Sequence, residues 1–120
     1  MAKRIYVLED DKGIRETVQM VLEVAGYQVT GFTDVSRFNA DQAGQLPDLY
    51  LIDIMLPDGN GLEVRAALAA DPATAHIPVL IMSAHTSFSE GSDWPGAKHF
   101  IAKPFDIYEL TGKITTLLKG

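Results

Sequence analysis

Five polar residues of this chain stand where apolar runs stop. Glu9 and Asp10 follow Ile5-Tyr6-Val7-Leu8. Asp53 breaks the run from Leu49 to Ile54, just ahead of Pro57-Asp58-Gly59. Ser83 follows the run from Ile77 to Met82, and Lys103 follows a short run ending at Ala102. A carboxylate set in an apolar strand is costly unless it meets a cation or a donor. Carboxylates brought together repel one another unless a cation intervenes. A hard divalent ion suits such a set, and Mg²⁺ is the natural choice. It binds through one or two carboxylates, keeps waters and leaves places for phosphate oxygens. With that charge offset, Asp53 can act as a carboxylate nucleophile. Lys103 and the Ser83 hydroxyl can hold phosphoryl oxygens, and phosphoryl transfer asks for little beyond positioning and charge stabilisation.

The elements that must deliver these groups alternate along the chain. Ile5 to Leu8 reads as a first strand. Ile14, Val18, Val21, Leu22 and Ala25 then fall on one face at helical spacing, with Asp11 as cap and Gly26 as stop. Gln28 to Phe32 reads as a second, less apolar strand at an edge. Asp34 caps a second helix carrying Val35, Phe38 and Leu46. Leu49 to Ile54 is nearly continuous apolar sequence, the mark of a strand buried on both faces. After the Pro57-Asp58-Gly59-Asn60-Gly61 loop, Leu62 to Ala70 reads as a third helix ended by Asp71-Pro72. Ile77 to Met82 is a fourth strand and Lys98 to Ala102 a short fifth. Ile107, Leu110, Ile114, Leu117 and Leu118 stripe a final helix. Such alternation predicts a parallel sheet with helices on both faces, whose strand ends share one rim. Residues 86 to 97 break the pattern and read as a loop or at most a turn or two of helix.

Composition narrows the classes. The 120 residues suffice for one domain with one core, and no cysteine is present, which removes disulfides, thiolate catalysis and thiolate metal sites. The formal net charge of -6 argues against nucleic-acid binding by this domain. No apolar run approaches the ~18–20 residues of a membrane span. The start, Met1-Ala2-Lys3-Arg4, leads straight into a strand, so no signal peptide is expected and the cytoplasm is the expected compartment.

The chain resembles a CheY-like receiver domain of two-component response regulators. Glu9-Asp10, Asp53 with Leu56-Pro57-Asp58-Gly59, Ser83-Ala84 and Lys103-Pro104-Phe105 carry the resemblance, in order and at suitable spacing, across nearly the whole chain, which reads as a single receiver of residues 1–120. It implies a doubly wound, flavodoxin-like sheet with strand order 2-1-3-4-5. It implies Asp53 as phosphoacceptor, with Asp10 and Asp53 as Mg²⁺ ligands, the Met55 backbone carbonyl as a third, and Glu9 acting through water. Ser83 and Lys103 would contact the phosphoryl group, and Ser83 with Phe100 would form the switch. The donor would be a phosphohistidine on a histidine kinase or histidine phosphotransfer protein, or a small donor such as acetyl phosphate. The domain would be no enzyme beyond its own phosphorylation and dephosphorylation, and would signal to an output domain or partner protein. Two departures stand out. The stretch from Ser83 to Lys103 is short, with Pro95 and two glycines where a fourth helix belongs, so that helix is expected to be short or missing. Phe100 lacks the hydroxyl of the common tyrosine, so its switching must work through packing.

Other residues read more plainly. Phe38 and Phe105 belong to the core, and His76 and His99 are structural. His85 is a loop histidine or an influence on phosphoryl lifetime, and Trp94 packs on the domain or marks a partner contact. Three other functions compete. A haloacid-dehalogenase-type phosphohydrolase needs a second aspartate where Met55 stands. A flavin-binding module wants a Ser/Thr/Gly-rich loop where Glu9-Asp10-Asp11 stands. An inactive docking receiver would not need the full polar set.

Overall fold

The computed structural model describes residues 2–41, 45–84 and 99–119. In chain order these form β1 (Arg4–Leu8), α1 (Lys12–Val24), β2 (Gln28–Phe32), α2 (Val35–Asp41), β3 (Leu49–Asp53), α3 (Gly61–Ala70), β4 (Val79–Ser83), β5 (Phe100–Ala102) and α4 (Ile107–Lys119). The five strands make one parallel sheet in the order β2-β1-β3-β4-β5, the doubly wound arrangement expected. β3 and β4 are buried along their whole length, as their unbroken apolar sequence demands, while β2 alternates and lies at an edge. The expectation of a short or missing fourth helix falls on residues 85–98, outside the described residues, as do His85 and Trp94.

Strand alternation sends side chains to two cores. Tyr6, Leu8, Tyr50, Ile52, Ile81 and Phe100 face Phe38 of α2 and Val64 and Leu68 of α3. Ile5, Val7, Leu49, Leu51, Leu80 and Met82 face Val18 and Leu22 of α1 and Leu110 and Ile114 of α4. The buried Tyr6 hydroxyl, which would be costly unpaired, donates to the Gln45 carbonyl.

The structure corrects several details. Leu46 lies outside the helix described over Val35–Asp41 and is 36% exposed. Leu46 precedes Pro47, whose ring disfavours helical backbone at the preceding residue. Ala25 is the exposed C-cap of α1 rather than part of its buried stripe, and Gly26 takes the left-handed conformation (φ 101°) that ends the helix. Ile107 is 49% exposed, because a residue at the first helical position has no preceding turn to lie against. The expected loop after β3 is folded into a small antiparallel ladder, Met55 opposite Asn60 and Leu56 opposite Gly59.

Candidate functional site

Parallel register brings the strand ends level. Leu8 pairs with Ile52, Asp53 with Met82, and Ser83 with Ala102, so Glu9, Asp53, Ser83 and Lys103 emerge at one rim. The rim is tied by main-chain bonds beyond the ladder. Glu9 N donates to Phe32 O at 3.0 Å and Lys103 N donates to Ser83 O at 2.7 Å. The Lys103–Pro104 peptide bond is cis.

Lys103 is the centre of the charge arrangement. Its Nζ lies 2.6 Å from Glu9 Oε1 and 3.2 Å from Asp53 Oδ1, so one ammonium bridges carboxylates from β1 and β3. Glu9 is 1% exposed, Asp53 6% and Ser83 2%. Burial pushes the Glu9 carboxyl above the ordinary glutamate range, and the Asp53 charge adds to this, against the opposing pull of Lys103 and of the Asp11 N–H. Burial alone would lower the Lys103 ammonium. The hydrogen bond to Glu9 and the attraction of Asp53 and Glu9 outweigh it, holding the group above the ordinary lysine value.

One carboxylate oxygen each of Glu9, Asp10 and Asp53 lies within 4.8 Å of the others, the one such metal-capable group among the described residues. An all-oxygen set carrying three negative charges against one ammonium fits a hard divalent cation. The Met55 side chain is exposed and its backbone belongs to the small ladder. His99 Nδ1 sits 3.3 Å from Val79 O, and neither it nor His76 joins the acidic group. Ser83 is buried at the rim, and Phe100 is already packed in the core over α2 and α3. The structure therefore brings together the three expected carboxylates and Lys103, with Ser83 at the end of the adjoining strand.

Supporting residues hold this arrangement. Asp11 caps α1 by accepting from Ile14 N at 2.9 Å, as expected, while its own N–H donates to Glu9 Oε2 at 3.2 Å. Asn60 caps α3 through Leu62 N at 2.7 Å. Three contributors were assigned no role from the sequence, although Asp58 stands in the motif after Asp53. Gly61 N donates to Ile54 O at 2.8 Å, and a Cβ at Gly61 would stand 2.1 Å from Asp53 O, so only glycine allows this approach. Asp58 reaches across to the start of α2 and accepts from Val35 N at 2.8 Å and Ser36 N at 3.0 Å. Arg15 donates to main-chain carbonyls of the acidic pair. A glycine at a helix's first turn, where other residues propagate helix better, was the one available signal among these.

Comparisons with known proteins agree with this geometry. The response regulator receiver domain family matches residues 5–115. The DNA-binding dual master transcriptional regulator RpaA of Synechocystis sp. is 36% identical over an alignment of 119 residues that covers 97% of this chain and 49% of RpaA. The phosphate regulon transcriptional regulatory protein PhoB of Pseudomonas aeruginosa is 31% identical over a gapped alignment of 122 residues, covering 99% of this chain and 53% of PhoB. The chain thus spans about half the length of the curated relatives it matches. Among solved structures, the chemotaxis response regulator CheY4 of Vibrio cholerae superposes with a TM-score of 0.85 at 21% identity, covering 98% of this chain and 99% of that one. At that identity the likeness speaks for the fold.

Proposed function

Because this chain belongs to the response regulator receiver domain family of two-component systems, we propose that Asp53 is its phosphoacceptor. The observation that carries the assignment is the bridging ammonium: Lys103 holds Glu9 and Asp53 together at a rim where Asp10 completes an acidic trio. The carboxylates of Asp10 and Asp53 and the Met55 carbonyl would hold Mg²⁺, with Glu9 acting through water. The bound ion would offset charge on the phosphoryl oxygens and on the carboxylates alike.

The chain's own groups divide the remaining work. An Asp53 carboxylate oxygen attacks the phosphorus of a phosphohistidine. A P–O bond forms, the P–N bond breaks, and the imidazole nitrogen keeps the electron pair and takes a proton. Lys103, already 3.2 Å from Asp53, offsets charge on the transferred group, and the Ser83 hydroxyl donates to one of its oxygens. Hydrolysis reverses the state, as water attacks phosphorus and Asp53 leaves as carboxylate. The domain thus acts on itself alone.

The donor is a histidine kinase or histidine phosphotransfer protein. The relatives matched over half their length are transcriptional regulators, which supports an output module as the partner. With a net charge of -6, the receiver itself is unsuited to the DNA contact. Among the described residues no helix is long and apolar enough to cross a membrane, which accords with action in the cytoplasm.

Signalling would follow from Ser83 moving toward the phosphoryl group and Phe100 repacking. A shift from 1:99 to 99:1 needs ~5.5 kcal/mol, whereas a charge-assisted hydrogen bond supplies about 1.5–3 kcal/mol. Phosphorylation alone therefore activates in part, and a partner completes the shift. The test of the chemistry is intact mass after incubation with acetyl phosphate and Mg²⁺. The parent should gain one phosphoryl group and Asp53→Asn none. An adduct of equal yield on the variant, or none on the parent, overturns the assignment.

A further inference from the structure

Of the three carboxylates at the rim, two are held by side-chain contacts and one is not. Glu9 and Asp53 are both bound by Lys103, and Glu9 also accepts from Asp11 N. The Asp10 carboxylate is exposed and accepts no hydrogen bond from the described residues, yet it lies within the acidic trio. Its direction is therefore set by its own backbone, one residue past the Glu9 N–Phe32 O bond that ties this segment to the sheet. Arg15, one turn into α1, reaches back to this point. Its Nη1 donates to Glu9 O at 3.0 Å and, more weakly, to Asp10 O at 3.4 Å. Its stem passes over β2 at Gly31, where a Cβ would stand 2.9 Å from Gln19 Oε1 and 3.2 Å from Arg15 Cδ. The missing side chain on the edge strand leaves room for both Gln19 and the Arg15 stem.

We propose that Arg15 is the positioning residue for the acidic pair. It fixes the Glu9–Asp10 backbone, and so aims the Asp10 carboxylate at Asp53. The proposal rests on the reading of this rim as a cation site. Arg15 is a cation beside a cation site, and by charge alone it would weaken binding of a divalent ion. As a brace it strengthens it. The two roles predict opposite signs for its removal.

The experiment compares the parent, Arg15→Met, Arg15→Gln and Lys12→Met. Lys12 is a cation on the same helix with no hydrogen bond to the loop among the described residues. Mg²⁺ affinity is read by calorimetry, and amide hydrogen exchange at Asp10 and Asp11 is read without metal. Arg15→Met should bind Mg²⁺ about tenfold more weakly, the usual scale for losing a residue that orients a metal ligand. It should also exchange the Asp10 and Asp11 amides faster. Lys12→Met should bind at the parent's affinity or tighter. Arg15→Gln, which keeps a donor without the charge, should fall between the parent and Arg15→Met. An Arg15→Met that binds Mg²⁺ as tightly as the parent or tighter overturns the proposal. If Arg15→Met does not fold, Arg15→Gln decides by the same sign. If the parent itself binds no Mg²⁺, the cation site fails, and unchanged exchange at Asp10 and Asp11 in Arg15→Met then overturns the brace as well.

Discussion

The two faces of the sheet are built from different materials. Toward α2 and α3, Tyr6, Phe32, Phe38 and Tyr50 meet edge to face, with ring centroids 5.2 to 6.1 Å apart. Toward α1 and α4, the buried residues are aliphatic apart from the Met82 thioether. The groups of the proposed site follow the same division. Glu9 continues the alternation of Ile5 and Val7, and Asp53 that of Leu49 and Leu51, so both extend the aliphatic face. Ser83 continues Val79 and Ile81, and Phe100 packs among them, on the aromatic face. Edge-to-face rings hold defined geometry, whereas aliphatic side chains repack more freely. The proposed chemistry thus sits at the end of one face and the expected switch on the other, with β3 and β4 shared between them.

Core truncations test this division with the largest expected effect. Phe38→Ala should cost about 3–5 kcal/mol in urea unfolding, and Leu22→Ala on the other face about 2–5 kcal/mol. Phe38→Ala should leave the rate of adduct formation in the folded fraction at the parent's value. It should nonetheless change the Phe100 resonances and their response to a phosphoryl mimic. The division breaks if Phe38→Ala slows the chemistry while leaving Phe100 undisturbed.

Gly61→Ala comes next and strikes the chemical end. The added Cβ, 2.1 Å from Asp53 O, must displace backbone rather than a flexible side chain. Overpacking of this kind costs about 1–3 kcal/mol. A misplacement near 1 Å at the reacting group can slow transfer about 10²-fold. Mass spectrometry of adduct formation at saturating acetyl phosphate reads the second effect apart from the first. A parent rate would mean that β3 absorbs the shift before it reaches the Asp53 carboxylate.

These two variants also mark where the sequence is transparent. Leu49 to Ile54 and Ile77 to Met82 announce central strands because a strand covered on both faces needs no polar alternation. Glu9, Asp53, Ser83 and Lys103 are legible because strand ends in a parallel sheet share a rim whatever the loops do. Gly61, Asp58 and Arg15 are not legible in this way. Each acts on main-chain atoms of another segment, and the sequence of neither segment records that the two will meet. Arg15 looks like any helix-surface cation until the Glu9 and Asp10 carbonyls turn toward it. Leu46 failed for the converse reason: its type suited the helix, and the proline after it did not.

A smaller effect is expected where the ladder after β3 meets α3. Asn60 caps that helix, and Asn60→Ala should cost about 1 kcal/mol, the usual value of such a cap. The loss should appear in urea unfolding with little change in the adduct rate, because Gly61 still fixes the approach to Asp53. A slowed rate with unchanged stability would move the ladder from support into the chemistry.

The smallest effect concerns pH, and it separates the two kinds of carboxylate by sign. Burial raises the Glu9 carboxyl in the folded domain. A group raised on folding contributes stability that is fully present below its unfolded value and lost as pH rises through the folded one. The metal-free domain should therefore gain Tm as pH falls from neutral toward the raised Glu9 value. Asp34 is lowered, chiefly by the hydrogen bond from Arg37 N, so its contribution is present above its unfolded value and lost as pH falls through the lowered one. Its window lies further into acid, and the Tm profile should rise first and fall afterwards. Glu9→Gln should flatten the rise and leave the fall in place. Mg²⁺ at neutral pH should raise Tm in the parent by favouring the charged carboxylates that protonation would otherwise relieve. If Glu9→Gln leaves the rise unchanged, the buried charge at the end of the aliphatic face is not its source, and the contrast between the two faces loses its electrostatic half.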